Sequence, residues 1–320
     1  MSIYHLQISN VSRGRGRTSV GTAAYIAREH LRDERSGRVH DHRRRGGLEH
    51  AEIIVPRDLA AADIAWTQSR EKLWNAAEHA ERRGNARVAR QYQIALPHEL
   101  TAPQRLQLAQ RFAHDIADRY GVVADLAVHN APPGGDPRNR HAHVLTTTRK
   151  LTTHGLGEKS NAEWNDGKRR AAGRPDAATE FRLLRAHWAE ISNSALREAG
   201  LDITVDHRSL AAQGIDREPQ LQKPRAAVEQ ERRARGIAQR DLQPDRAALP
   251  AITDATNESA LRQLPTKSAE QRLGVTQSAA RNSWLNYGRQ QQANLSRPEA
   301  EQGADAPETP RRDLFNDQGR

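Results

Sequence analysis

The 320-residue sequence contains no cysteine, which excludes disulfide cross-links, thiolate zinc sites and a cysteine nucleophile. No apolar run is long enough to span a bilayer. The opening MSIYHLQISNVSRGRGR reaches polar and basic residues too early for a secretory signal. A cytoplasmic protein without stable membrane insertion is therefore expected. No internal repeat of useful period is visible. Hydrophobic residues make up only 36% of the chain, too few for a core along its whole length, so part of it is expected to be poorly buried. Charge, in contrast, is abundant and unbalanced: the formal net charge is +10. That excess favours a polyanionic partner, nucleic acid first, because neutralised phosphates release counterions; a merely basic soluble protein is the plain alternative.

The apolar pattern alternates between strand and helix periods. Strands are expected at SIYHLQIS, EHAEIIVP, VARQYQIALP, VVADLAVHN and HAHVLTTTR. Helices are expected at TSVGTAAYIAREHLRDE, from about Asp63 to Arg83, over TAPQRLQLAQRFAHDIADRYG and over AATEFRLLRAHWAEISNSALREAG. The third of these has Thr101 as N-cap, Pro103 in its first turn and Gly121 after its last. Interleaved strands and helices with one antiparallel hairpin predict an α+β fold, a central antiparallel sheet with packed helices. The pattern holds to about Pro219. We expect one domain over residues 1–222, then a basic, low-complexity tail over 223–320, largely disordered or partly helical.

The hairpin carries the first chemical signal. His141 and His143 are two apart, so on a strand both imidazoles share a face. His129 ends the preceding strand, and the turn-rich PPGGDP between them lets the chain reverse. Paired strands would bring all three together. Each histidine alone reads as a surface or satisfied core residue; three on one face read as a metal site with open positions, the mark of a catalytic ion. A divalent metal is expected. Nitrogen-only ligation leans away from Mg²⁺ toward Mn²⁺, Zn²⁺, Ni²⁺ or Co²⁺. Such an ion would polarise a phosphodiester as a Lewis acid.

If the substrate is nucleic acid, the attacking group is either activated water or a side chain. Tyr4 and Tyr92 lie in expected strands, Tyr120 precedes a helix-ending glycine, and Tyr287 lies in the tail. Tyr25 sits between alanines in the first helix, near two basic loops. On periodicity alone it is an ordinary residue of an amphipathic face.

Several ordered stretches change that weighting: IYHL, AAYIAREHLRDERSGRVHDHRRRGGLEHAEIIVP, LWNAAEHAERRGNARVAR, ALPHELT, VHNAPPGGDPRNRHAHVLTTTR, EWND and VDHRSLAAQGIDREP. Across some two-thirds of the chain they resemble the MobA/MobL family of plasmid mobilisation relaxases, the Q-type relaxases of the histidine-hydrophobe-histidine (HUH) endonuclease superfamily. The resemblance implies a relaxase-like fold and a nicking reaction on one strand at an origin of transfer. It implies Tyr25 as nucleophile, a 5′-phosphotyrosine intermediate with a free 3′-hydroxyl, and His129, His141 and His143 as ligands of a divalent metal, Mn²⁺ or Mg²⁺ first. Splitting strand transfer into two near-isoenergetic steps would allow religation after transfer.

The sequence departs from the family at Gln91 and Gln93, where members often carry glutamates that support the metal; Asp136 and Glu163 are the candidate substitutes. Arg13, Arg15, Arg17, Arg43, Arg44, Arg45 and Arg149 are candidate DNA-phosphate contacts, against the plain reading of solvated loops. Trp164 is either a stacking platform or core. Expected partners are single-stranded origin-of-transfer DNA, with relaxosome accessory proteins and a type IV secretion coupling protein for the tail. The alternatives are a metal-dependent nuclease using activated water and a non-catalytic DNA-binding accessory protein.

Overall fold

The computed structural model describes residues 4–59, 61–131 and 136–216. The expected tail, the boundary at residue 222 and Tyr287 lie outside them. The elements run β1 (Leu6–Ser12), α1 (Ser19–Ala27), β2 (His30–Arg32), β3 (Val39–Asp41), β4 (Leu48–Ile54), α2 (Arg70–His79) and β5 (Arg87–Ala95). They continue with α3 (Ala102–Tyr120), β6 (Ala124–His129), β7 (His141–Thr147), β8 (Arg149–Thr152), β9 (Gly155–Lys159), α4 (Asp166–Ala171) and α5 (Ala177–Glu198).

Five strands form one sheet in the order β1-β5-β7-β6-β4, with every neighbouring pair antiparallel. The fold is α+β, as expected. Because side chains alternate along each strand, the sheet has two distinct faces. On one, Ala89, Ala127 and Leu145 pack with Ala23, Ala24 and Ile26 of α1 and Leu73 and Trp74 of α2. On the other, Tyr92 meets Phe112 of α3 edge-on at 6.3 Å, and Phe112 meets Trp188 of α5 at 5.2 Å. Beyond Leu145, toward its first residue, β7 presents His143 and His141 on the α1/α2 face.

Helix α3 is built as its sequence indicates. Thr101 and Gln104 form a reciprocal capping box, and Gly121 ends the helix in the left-handed conformation, φ 65°. Two expected helices are corrected. The first stops at Ala27, and EHLRDE continues not as helix but into β2, which pairs with β3. The terminator is Arg28, φ 57°, the one non-glycine residue with positive φ among the described residues. The helix expected over 63–83 is broken: a 3-10 segment runs Ala61–Gln68, then Ser69 accepts from the Lys72 amide and caps a separate α2. The β8–β9 hairpin and α4 were not anticipated. Among the described residues no helix is long and apolar enough to cross a membrane.

Candidate active site

Strand register builds the histidine cluster. In β6 and β7, His129 lies opposite His141 and Ala127 opposite His143, so the three imidazoles share one face. Their ring centroids are 5.2–5.4 Å apart in all three pairs. Three rings with a nitrogen about 2.0–2.1 Å from one ion would have centroids about 5 Å apart.

All three rings are held neutral, the ligand form. Burial is the main cause in each case, reinforced by the Arg28 guanidinium and, at His129 and His143, by neighbouring imidazoles. It brings His129 down to about 4 and His143 down to about 3, and lowers His141 as well. Each ring has a partner on its Nδ1 side. His141 Nδ1 lies 3.3 Å from the Asn139 carbonyl. His143 Nδ1 lies 2.7 Å from Gln91 Nε2, which donates to it. The His129 ring hydrogen-bonds the Ile26 backbone, and its Nε2 is buried with no partner among the described residues. At His141 the carbonyl partner on Nδ1 is the kind of outer contact that leaves Nε2 free for a metal. In donor type and charge state the trio therefore fits a divalent ion. It is not closed upon one: no group of three ligand side chains among the described residues is set to grip an ion as it stands. The His129 and His141 rings lie nearly parallel, 11° between planes. Strand pairing fixes the Cβ positions, so closure asks for ring rotation and not for backbone movement.

Tyr25 reaches the same region from α1. It is half-buried between buried neighbours, and its ring is framed by three groups. Arg28 lies 4.7 Å from the ring centroid, Arg45 5.3 Å, and His42 packs edge-on at 5.5 Å. Arg28 also touches the trio, its Nη2 3.5 Å from His129 Nδ1, while another guanidinium nitrogen donates to the Tyr25 carbonyl. Its Nε is buried without a partner among the described residues. One cation thus bridges phenol and imidazoles, held by a left-handed backbone that costs a non-glycine residue about 1–3 kcal/mol. The other described tyrosines lie elsewhere, and burial pushes their phenols up: Tyr4 donates to the Arg185 carbonyl, Tyr120 to Glu180, and Tyr92 is fully buried.

The seat of α1 is fixed by buried charge. Glu78 of α2 accepts from the Ser19 amide at 2.7 Å and the Ser19 hydroxyl at 2.9 Å, which anchors the helix start. Arg13 pairs with that carboxylate at 2.8 Å and also donates to the Glu81 and Arg83 carbonyls. Asp125 of β6 accepts from Arg70 Nε and Trp74 Nε1, each at 2.8 Å, and ties α2 to the histidine strand.

The candidate phosphate contacts divide into groups. Arg13 is inside this network, Arg149 pairs with Glu81 at 2.8 Å, and Arg43 pairs with Asp41 at 2.7 Å. Arg15, Arg17 and Arg44 are exposed, without an ion-pair partner among the described residues. Arg45 stands over Tyr25. Arg28 was missed by sequence reasoning, because its position follows from the helix terminator and no motif marks it. Gln91 contacts His143, and Gln93 lies directly opposite His143 across β5 and β7. Neither candidate substitute joins them: Asp136 pairs with Arg138, and Glu163 pairs with Arg90, whose register places it on the opposite face of the sheet. Trp164 is half-buried beneath Lys168, 4.2 Å above its ring.

Comparison with known proteins agrees with this architecture. The family model described as "MobA/MobL family" matches residues 17–233. The mobilization protein MobL of Acidithiobacillus ferridurans is 35% identical over 283 residues, covering 82% of this chain and 72% of that protein. The conjugal transfer protein TraA of Agrobacterium fabrum is 36% identical over 236 residues, 69% of this chain but only 21% of that much longer protein. A solved structure described as the molecular basis of vancomycin resistance transfer in Staphylococcus aureus matches with TM-score 0.53 and 25% identity, over 65% of this chain and all of the other. The chain belongs to the MobA/MobL family.

Proposed function

We propose that this protein is a mobilisation relaxase that nicks one strand of DNA at an origin of transfer by tyrosine transesterification. The Tyr25 hydroxyl oxygen attacks phosphorus as its proton passes to water. The P–O bond to the 3′-oxygen breaks and that oxygen takes a proton back from water, leaving a 3′-hydroxyl and a 5′-phosphotyrosine. Reversal by a 3′-hydroxyl restores the phosphodiester and frees the phenol, so one ester is exchanged for another in each direction. Arg28, between phenol and imidazoles, is placed to donate to the nonbridging oxygens as charge builds on them. His129, His141 and His143 would hold a divalent cation through Nε2. Bound there, the ion supplies Lewis acidity to the scissile phosphate. Gln91 holds the orientation of the His143 ring, and the depressed basicity of the trio keeps the ligands deprotonated at neutral pH.

The observation that carries this reading is the convergence of Tyr25 and His129 on one guanidinium. The relatives named MobL and TraA, and the abundance of arginine, agree with a DNA substrate.

The test uses a supercoiled plasmid bearing the cognate origin, with Mn²⁺ or Mg²⁺, quenched in detergent. A nicked circle with protein on its 5′ end is expected from the wild type, and none from Tyr25→Phe. Nicking with a free 5′ end, retained in Tyr25→Phe, would instead identify a metal-dependent nuclease. Binding without any cut across several divalent ions would identify an accessory protein.

A further inference from the structure

The two edges of the main sheet are built differently. At one end β4 carries Glu49, His50 and Glu52, polar groups of the kind that keep an edge strand from pairing with another chain. At the other end β1, LQISNVS, has no charged residue and no proline. The His5 carbonyl accepts from the Ala95 amide, and the register continues from there. Hydrogen-bonded pairs therefore fall at Gln7 and Ser9, and the main-chain N–H and C=O of Ile8 and Asn10 point away from β5. Among the described residues no backbone group bonds to them.

A cavity of about 360 Å³ adjoins this edge on the α3/α5 face. Ile8 and Asn10 form its β1 side, and Trp164, Phe181 and Leu184 supply much of its apolar lining. The Asn10 side-chain oxygen is buried with no partner among the described residues. Charge in the lining is unbalanced. Arg87, Arg90 and Arg169 stand against Glu180 alone, and Glu180 is already held by Arg119 and Tyr120. Glu163 answers Arg90 at 2.7 Å but lies 3.9 Å from Arg87, whose side chain is 56% exposed. The Arg169 guanidinium donates to the carbonyls of Trp164, Pro175 and Ala162.

An open edge binds an added strand through main-chain hydrogen bonds, and a pocket for alternate side chains selects which strand. A cationic lining selects for negative charge. We propose that β1 and this cavity form a docking site for an extended acidic segment of a partner protein. The segment adds antiparallel to β1, as every other strand of the sheet pairs. Its residues opposite Ile8 and Asn10 share their face, so an apolar side chain enters beside Trp164 and a neighbouring carboxylate meets Arg87. The site lies on the face away from Tyr25 and does not depend on the relaxase reading.

The full chain is titrated with a fluorescein-labelled, acetylated peptide, TFTETFT, whose glutamate and phenylalanines share one face of a strand. Anisotropy should show saturable binding. Affinity should fall at least about tenfold when lysine replaces the glutamate or in Arg87→Glu, as loss of a charge-assisted contact implies. N-methylation of the glutamate and phenylalanine amides, which face β1, should abolish binding, whereas N-methylation of the threonine amides should not. At about ten times Kd, hydrogen exchange at the Ile8 and Asn10 amides, read by NMR, should slow about tenfold while β4 is unchanged. Tyr25→Phe should bind as the wild type does. Absence of saturable binding, equal affinity for both methylated forms, equal affinity for the lysine peptide, or protection at β4 instead of β1 overturns the proposal. So does protection of Ile8 and Asn10 in the free protein, with light scattering then separating a second copy at the edge from cover by the chain itself.

Discussion

Alternate residues of the same strands build two very different faces. On the α3/α5 face, Tyr92, Phe112 and Trp188 interlock, and the main charged groups meet partners. Arg119 and Tyr120 both donate to Glu180, at 2.9 and 2.6 Å, and His187 lies 2.9 Å from Asp115. On the α1/α2 face the inner half is equally close-packed, but the outer end gathers three neutral imidazoles, an arginine with a buried unsatisfied nitrogen and a half-buried phenol. Buried polar atoms without partners cost stability, and they occur on both faces, at Arg105 Nε, Arg111 Nη2, His114 Nδ1 and Ser192 Oγ as well as at Arg28 Nε and His129 Nε2. What sets the outer end apart is the grouping of neutral imidazoles and a guanidinium around one phenol. The opposite face is scaffold.

Breaking each face in turn should produce different failures. The largest effect belongs to Tyr25→Phe, which should lower strand cleavage by at least about 10³-fold, as loss of an essential nucleophile does. Thermal melting should barely move, because the residue is only half-buried. Phe112→Ala reverses the pattern. Removing that fully buried ring should cost about 3–5 kcal/mol of folding stability, read by denaturant titration, while cleavage per folded molecule stays near wild type. Should Phe112→Ala abolish chemistry at temperatures where it remains folded, the division between scaffold and site fails.

Smaller changes sharpen the division. Gln91→Leu removes the partner of His143 and should weaken Mn²⁺ binding by about 10–100-fold, the usual cost of losing an outer hydrogen bond to a ligand. Gln91→Glu should tighten it, by adding negative charge beside the His143 ring. Isothermal titration separates the two, and equal affinities in all three proteins would remove Gln91 from the metal site. The mildest effect is on pH. Free imidazole titrates near 6.5, but His129 and His143 stay neutral down to about 4 and about 3. Between those limits the unfolded chain binds more protons than the folded one, so stability rises with pH and is lost on acidification through that window. Melting curves between pH 7 and 4 should show this fall, and a His129→Gln, His143→Gln double variant should flatten it.

Much of the sheet was legible because strand chemistry is local. The two-residue spacing of His141 and His143, and a turn-rich loop after His129, are sufficient to place three rings on one face. Helix α3 was legible for the same reason, through Thr101, Gln104 and Gly121. Helix ends set by tertiary context were not. Nothing local stops α1 at Ala27, since REHLRDE has ordinary helical propensity and Arg28 lacks the usual terminator's freedom. The turn is imposed by the β2–β3 hairpin and by Arg28's contacts with Tyr25 and His129. The arginines were hardest to assign, because a guanidinium reads the same whether it faces solvent or a carboxylate 65 residues away. Arg13 finds Glu78, whereas Arg17 of the same basic run opens onto a cleft beside Tyr25.

The most direct measurement is peptide mapping of the covalent product. After cleavage of a single-stranded origin oligonucleotide, the protein–DNA adduct is digested with nuclease and protease and the modified peptide is sequenced by mass spectrometry. The account predicts a nucleotide joined through its 5′-phosphate to Tyr25. A nucleotide on another residue, or cleaved DNA with a free 5′-phosphate and no modified peptide, would contradict it.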